Sequence, residues 1–140
     1  MDSRKARHLI TRTEAYKLAL YWLDLGNNAD SGQFVLGQPD SPLLKSRDRL
    51  PNAAHLYPEI IDARLDGRDK LPSCSALEAL ENQSPFVNQT LAYQALALLA
   101  QFFRRGRLNY HGGFINLTTG RMSPLPVDPA VWKRIANAKK

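Results

Sequence analysis

The stretch SPFVNQTLAYQALALLAQFFRRGRLNYHGGFINLT, residues 84–118, decides how the chain is read. Ser84 and Pro85 form a helix start, a hydroxyl N-cap followed by a proline whose missing N–H costs nothing in the first turn. Leu91, Ala95, Leu98 and Phe102 then make one apolar stripe at helical spacing, and Ala92, Leu96, Leu99 and Phe103 a second beside it. Thr90, Gln94, Ala97 and Gln101 leave a narrow polar edge, which predicts the central helix of the core. Arg104 and Arg105 end it, where cations offset the helix dipole. The residues that follow read as a hairpin with Gly112-Gly113 as its two-residue turn. Tyr110 then pairs with Ile115, Asn109 with Asn116, Leu108 with Leu117 and Arg107 with Thr118. Leu108, Tyr110, Ile115 and Leu117 fall on the core side. Arg107, Asn109, Asn116 and Thr118 face solvent, with His111 and Phe114 beside the turn.

Towards the N-terminus, Thr11-Arg12-Thr13-Glu14 fits a capping box with Thr11 as N-cap. Ala15, Leu18, Trp22 and Leu25 follow at helical spacing, predicting a helix over residues 12–25 with Gly26 just past its end. Five of the nine prolines lie between positions 39 and 72, and glycine-rich and asparagine-rich turn signals crowd the same region. Residues 26–71 therefore read as mostly irregular. They hold a brief extended segment at 33–36, one helical turn at 42–46, and a short helix at 58–66 with Pro58 at N1 and Gly67 at its C-terminal cap. Ser75-Ala76-Leu77-Glu78 is a second capping box, opening a short helix to about Asn82. Past Pro124 and Pro126, a last helix runs from Pro129 to about Ala138 on Val131, Trp132 and Ile135. The expectation is a mainly α chain with one β-hairpin (α+β): a single domain over 1–140, a helical core around a proline-rich middle, a basic arm at 1–10 and a tail at 138–140.

The 140 residues are 44% hydrophobic and 23% charged, ordinary for a folded domain and too apolar for a disordered chain. The longest uncharged run, 82–103, holds six Asn and Gln residues that a lipid-facing helix would have to bury, so it reads as a core helix and not a membrane span. The charged N-terminus resembles no export signal. Cys74, the single cysteine, has no partner in the chain for a disulfide, which makes the cytoplasm the expected compartment. Phosphate-binding glycine loops, serine-hydrolase elbows and zinc-protease spacings are absent from the sequence. Histidines 8, 55 and 111 are scattered. Cys74 is more simply a small residue before a helix than a nucleophile served by His55 or His111. No enzyme, cofactor or metal is expected.

Charge is the better clue. Residues 101–140 hold eight basic residues against Asp128 alone, +7, whereas the first 100 hold eleven basic and twelve acidic residues, −1. A helix ending in Arg104 and Arg105 and followed at once by a hairpin resembles, in general layout, the helix-then-wing arrangement of some nucleic-acid binders. The leading expectation is a small non-enzymatic DNA- or RNA-binding domain using Arg104, Arg105, Arg107, Asn109, Phe114, Asn116, Arg121, Lys133 and Arg134. The N-terminal Arg4, Lys5, Arg7 and Arg12 would extend the patch if they folded nearby. The alternative is a protein-interaction module, an adaptor, inhibitor or assembly subunit, whose basic face docks on an acidic partner or a nucleoprotein complex. In that reading the loop-rich middle supplies recognition, with Phe34, Leu43, Leu44 and Tyr57 as contact candidates.

Overall fold

A central strand buried on both sides organises the molecule. The computed structural model describes residues 3–44, 49–66 and 84–138. Strands β1 (Trp22–Asn27), β2 (Ser31–Gly37), β3 (Tyr110–Asn116) and β4 (Arg121–Pro126) form one antiparallel sheet in the order β1-β2-β3-β4. In β2, Phe34, Val35 and Leu36 are 0–2% exposed. The sequence run at 33–36 is continuously apolar because consecutive side chains point to opposite faces and both faces are covered.

Phe34 and Leu36 point to one face. There they meet Val87, Leu91, Ala95 and Leu98 of a long helix and Ile115 of β3, with Leu23, Leu25, Leu108, Tyr110 and Leu117 packed around them. Val35 points the other way, into a second cluster with Leu125, Ala53 and Leu56, flanked by Tyr57, Ile60, Trp132 and Ile135. Five α-helices occur among the described residues: α1 (Arg4–Thr11), α2 (Glu14–Leu18), α3 (Ala53–Leu56), α4 (Val87–Arg105) and α5 (Pro129–Asn137). The protein is thus a small α+β domain with two hairpins, in place of the mainly α chain with one hairpin that the sequence suggests.

The helix expected at 12–25 does not form. Ser3 caps α1 by accepting from the Ala6 N–H, Thr11 ends that helix, and Thr13, not Thr11, caps the five-residue α2 by accepting from the Tyr16 N–H. At Ala19 the backbone becomes extended (ψ 140) and Trp22 enters β1. Residues 22–25 satisfy a period of two as well as one of 3.6: Leu23 and Leu25 turn towards α4, while Asp24 turns the other way. Pairing with β2, from Trp22 opposite Gly37 to Asn27 opposite Gly32, decides between the two periods.

The expected turn at Gly112-Gly113 is instead the middle of β3. Gly112 lies opposite Val35 and Leu125, and Gly113 opposite Phe34 and Pro124, so none of the pairings expected across that turn forms. A Cβ at Gly112 would sit 2.5 Å from the Phe34 carbonyl oxygen, so here glycine marks close backbone approach within a sheet. The true turn is at residues 117–120. Gly120 takes the left-handed conformation (φ 65), and the Asn116 side-chain oxygen accepts from the Thr119 N–H. The apolar set Leu108, Tyr110, Ile115 and Leu117 does join the core. His111, expected outward, is fully buried.

Residues 58–66 form two 3-10 turns, Pro58–Ile61 and Ala63–Leu65, instead of one helix. The break falls at Asp62, which leaves helical geometry (ψ 92) and accepts from the Arg64 N–H. The N-cap of α4 falls two residues after the expected one, at Phe86 instead of Ser84, and the Val87 N–H donates to the Ser84 carbonyl. α5 starts at Pro129 as expected, capped by Asp128. The stretch read as a basic arm is folded from Ser3 on: Arg7 is 6% exposed and donates to Asp24 (2.8 Å) and to the Leu25 carbonyl. Gly26 leaves room for it, since a Cβ there would lie 2.6 Å from the guanidinium. The helices expected near 42–46 and 75–82, with Gly67 and Cys74, fall wholly or partly outside the described residues.

Candidate functional site

Among the described residues, an uncovered apolar face lies on α4. Its sheet-facing stripe, Val87, Leu91, Ala95 and Leu98, is at most 3% exposed. On the opposite side of the same helix Leu96 is 60% exposed, Phe86 68%, Tyr93 74% and Phe103 78%. Leu96 and Phe103, read from the sequence as core, are therefore at the surface, because α4 is the outermost layer on its side of the sheet among the described residues. A single sheet can cover only one side of a helix, and among the described residues the second stripe has nothing to pack on.

Positions 86, 89, 93, 96, 100 and 103 are all exposed and are spaced alternately by three and four residues. That is the spacing of a coiled-coil seam, here Phe86, Gln89, Tyr93, Leu96, Ala100 and Phe103. Ala92 and Ala97 flank it, so a second backbone could come close. No residue from Val87 to Phe103 is charged. At the C-terminal end of α4, Tyr21 meets Phe102 edge to face at 4.9 Å on the sheet-facing side of the helix, and Phe102 lies 5.7 Å from Phe103 at the end of the seam. Gly106 closes the helix in the left-handed conformation (φ 64), its N–H donating to the Phe102 carbonyl, and Arg104, Arg105 and Arg107 project from that end.

The nine residues expected to form one basic face are dispersed. Arg104, Arg105, Arg107 and Asn109 sit where β3 begins, and the Asn109 carbonyl accepts from the Val127 N–H. Asn116 and Arg121 sit at the other end of β3, roughly 20 Å away at strand rise. The Asn116 side-chain oxygen is committed to the 117–120 turn. Phe114 lies on the face away from α4, edge-on to Tyr57 at 5.7 Å. It lines a cavity of about 200 Å³ with Gln33, Ala53, Glu59 and Ile60. Lys133 and Arg134 are exposed on α5, which covers that same face. Of the N-terminal basic residues, Arg7 is held by Asp24 and Arg4 pairs with Asp66 at 3.7 Å, while Lys5 and Arg12 are exposed. Backbone N–H groups of Lys5 and Arg4 donate to Asp66 and hold its carboxyl below the usual carboxylate range. Of the alternative contact candidates, Phe34 is buried, Tyr57 half-buried and Leu43 59% exposed.

The titratable groups of the interior serve the fold. His111, at 0% exposure, donates from Nδ1 to the Leu36 carbonyl (2.8 Å) and stacks edge-on to Trp132 at 5.4 Å. Burial pushes its pKa below the ordinary histidine value. Tyr16 is pushed up to about 12, chiefly by burial and then by the Asp40 charge, and its hydroxyl accepts from Asn52. His55 contacts Asp40 at 3.0 Å on the exposed surface. An open cleft of about 660 Å³ between α1 and the 3-10 turns is lined by His8, Pro58, Glu59, Ile61, Asp62 and Arg64, with Asp62 bound by Arg64. No group of three metal-ligating side chains occurs among the described residues, and no helix among them is long and apolar enough to cross a membrane. Against family models, curated proteins and solved structures, the chain matches none.

Proposed function

We propose that this chain is a protein-interaction module that docks through the outer face of α4. The observation that carries the reading is the exposed seam itself: three aromatic side chains and a leucine at 60–78% exposure, in register on one helix face. Contiguous apolar surface of this kind on a small domain marks a protein interface, and aromatic side chains are the commonest anchors of such interfaces. The dispersal of the basic residues supports the same choice, since backbone-reading nucleic-acid binders collect their arginines on one face.

The test is a photo-reactive benzoylphenylalanine in place of Tyr93, irradiated in cells, with the same group at Tyr57 on the far side of the sheet as control. A protein adduct at 93 and not at 57, surviving nuclease, is the expected result. Absence of any protein adduct at 93 overturns the reading.

Arg104, Arg105 and Arg107, exposed together at the end of α4, favour nucleic-acid binding as the second reading. It requires retardation of a mixed DNA or RNA oligonucleotide, with a log–log salt slope of about −0.7 to −0.9 per phosphate contacted. Adducts at 93 that vanish on nuclease treatment would select it.

A further inference from the structure

We infer that the occupant of the α4 face is a second copy of this chain, its α4 lying antiparallel across the first. The inference rests on the docking reading above and adds the partner. The order of side chains along the seam carries it. About a two-fold axis between Tyr93 and Leu96, Phe86 of one copy falls opposite Phe103 of the other, Gln89 opposite Ala100, and Tyr93 opposite Leu96. Each layer joins two large apolar side chains or one long and one small side chain, so the surface is complementary to itself, as a two-fold interface requires.

Charge selects the antiparallel direction. A parallel pair would bring Arg104 and Arg105 of both copies together at one end. The antiparallel pair separates them. It also carries each pair of arginines towards the end of the other copy where α4 starts. That end holds a carboxylate: the Ala29 carbonyl accepts from the Ser84 N–H, and the adjacent Asp30 accepts from the Thr118 hydroxyl. Because the helix bears no charge from Val87 to Phe103, it offers nothing along the seam with which to choose a charged heterologous helix.

The area is sufficient. Taking about 150–250 Å² per aromatic side chain, the exposed parts of Phe86, Tyr93 and Phe103 together with Leu96 and the flanking alanines come to roughly 600 Å² per copy. Two copies reach the lower edge of the ~1,200–2,000 Å² range of stable specific interfaces.

Sedimentation equilibrium on the purified full chain tests this. The expected species is about 31 kDa, twice the 15.7 kDa chain. Leu96→Glu, at an exposed position that leaves the fold unchanged by circular dichroism, should raise the dimer dissociation constant at least ~100-fold, since the symmetry places the buried charge in the interface twice. Direction is read in a Cys74→Ser background. A mixture of Gln89→Cys and Ala100→Cys chains should form the mixed disulfide. Ala100→Cys alone, which links to itself only in a parallel pair, should not. Three results would overturn the inference: a monomer at millimolar concentration, a dimer indifferent to Leu96→Glu, or an Ala100→Cys homodimer. A monomer that still gives the nuclease-resistant adduct at 93, to some other protein, overturns the second copy and leaves the docking reading standing.

Discussion

On α4, Leu91, Ala95 and Leu98 form one stripe and Tyr93, Leu96 and Phe103 another; both are apolar, yet the first is at most 3% exposed and the second 60–78%. Composition does not separate them. What separates them is the number of layers: the sheet covers the first stripe, and its other face is already occupied by α3, the 3-10 turns and α5. The same contrast holds for the basic residues. Arg7 is buried on Asp24 and belongs to the fold, whereas Arg104, of the same chemistry, ends a helix in solvent.

The arginines break or sharpen that contrast most strongly. Arg7→Ala leaves the Asp24 carboxylate, 1% exposed, without its cation, and should cost about 3–5 kcal/mol of unfolding free energy, read from urea denaturation. Arg104→Ala should stay within about 0.5 kcal/mol in the same assay. Equal effects would mean that the two ends of the chain are alike, and the division into structural and surface arginines would fall.

Leu98→Ala comes next, at about 2–5 kcal/mol, because the cavity it leaves lies between Phe34 and α4, where neither side can collapse fully. The opposite face of the sheet has a pH signature. His111 is buried neutral with its Nδ1–H already committed to Leu36, and its pKa is lowered. Below about pH 6.5 the unfolded chain takes up a proton that the folded chain resists, so stability is intact above that pH and falls beneath it, by at most ~1.4 kcal/mol per pH unit. His111→Gln, which keeps a neutral donor, should flatten the denaturation midpoint between pH 6.5 and 5. An unchanged slope would assign the acid loss to other groups.

Legibility in the sequence follows the range of the interaction that decides each element. α4, α5 and the extended run at 33–36 were readable because local pattern and caps suffice: Pro129 at N1, arginines at the α4 end, an unbroken Phe-Val-Leu in β2. β1 was not, because Trp22, Leu23 and Leu25 fit two periods and only the pairing with β2 chooses. Gly112-Gly113 imitates a turn signal, and what overrules it is the Phe34 carbonyl, 78 residues earlier, 2.5 Å from where a Cβ would stand. The proposed site was half legible. The sequence points to the arginines beside Phe103, but it assigns the outer stripe to the core; an apolar surface much wider than one sheet can cover was the available sign of the exposed face.

The smallest effect on folding is expected at the position proposed to matter most for association. Leu96→Ser removes an apolar side chain that water already reaches, so at concentrations low enough to keep the chain monomeric its denaturation midpoint should move by no more than about 0.5 kcal/mol. At high concentration the wild type should gain stability, because assembly draws the folded state down by mass action, and the variant should not. The difference between the two melting curves should therefore grow with protein concentration. A difference that is large and constant with concentration would show Leu96 acting within its own chain, and would erase the distinction between the covered and the uncovered stripe.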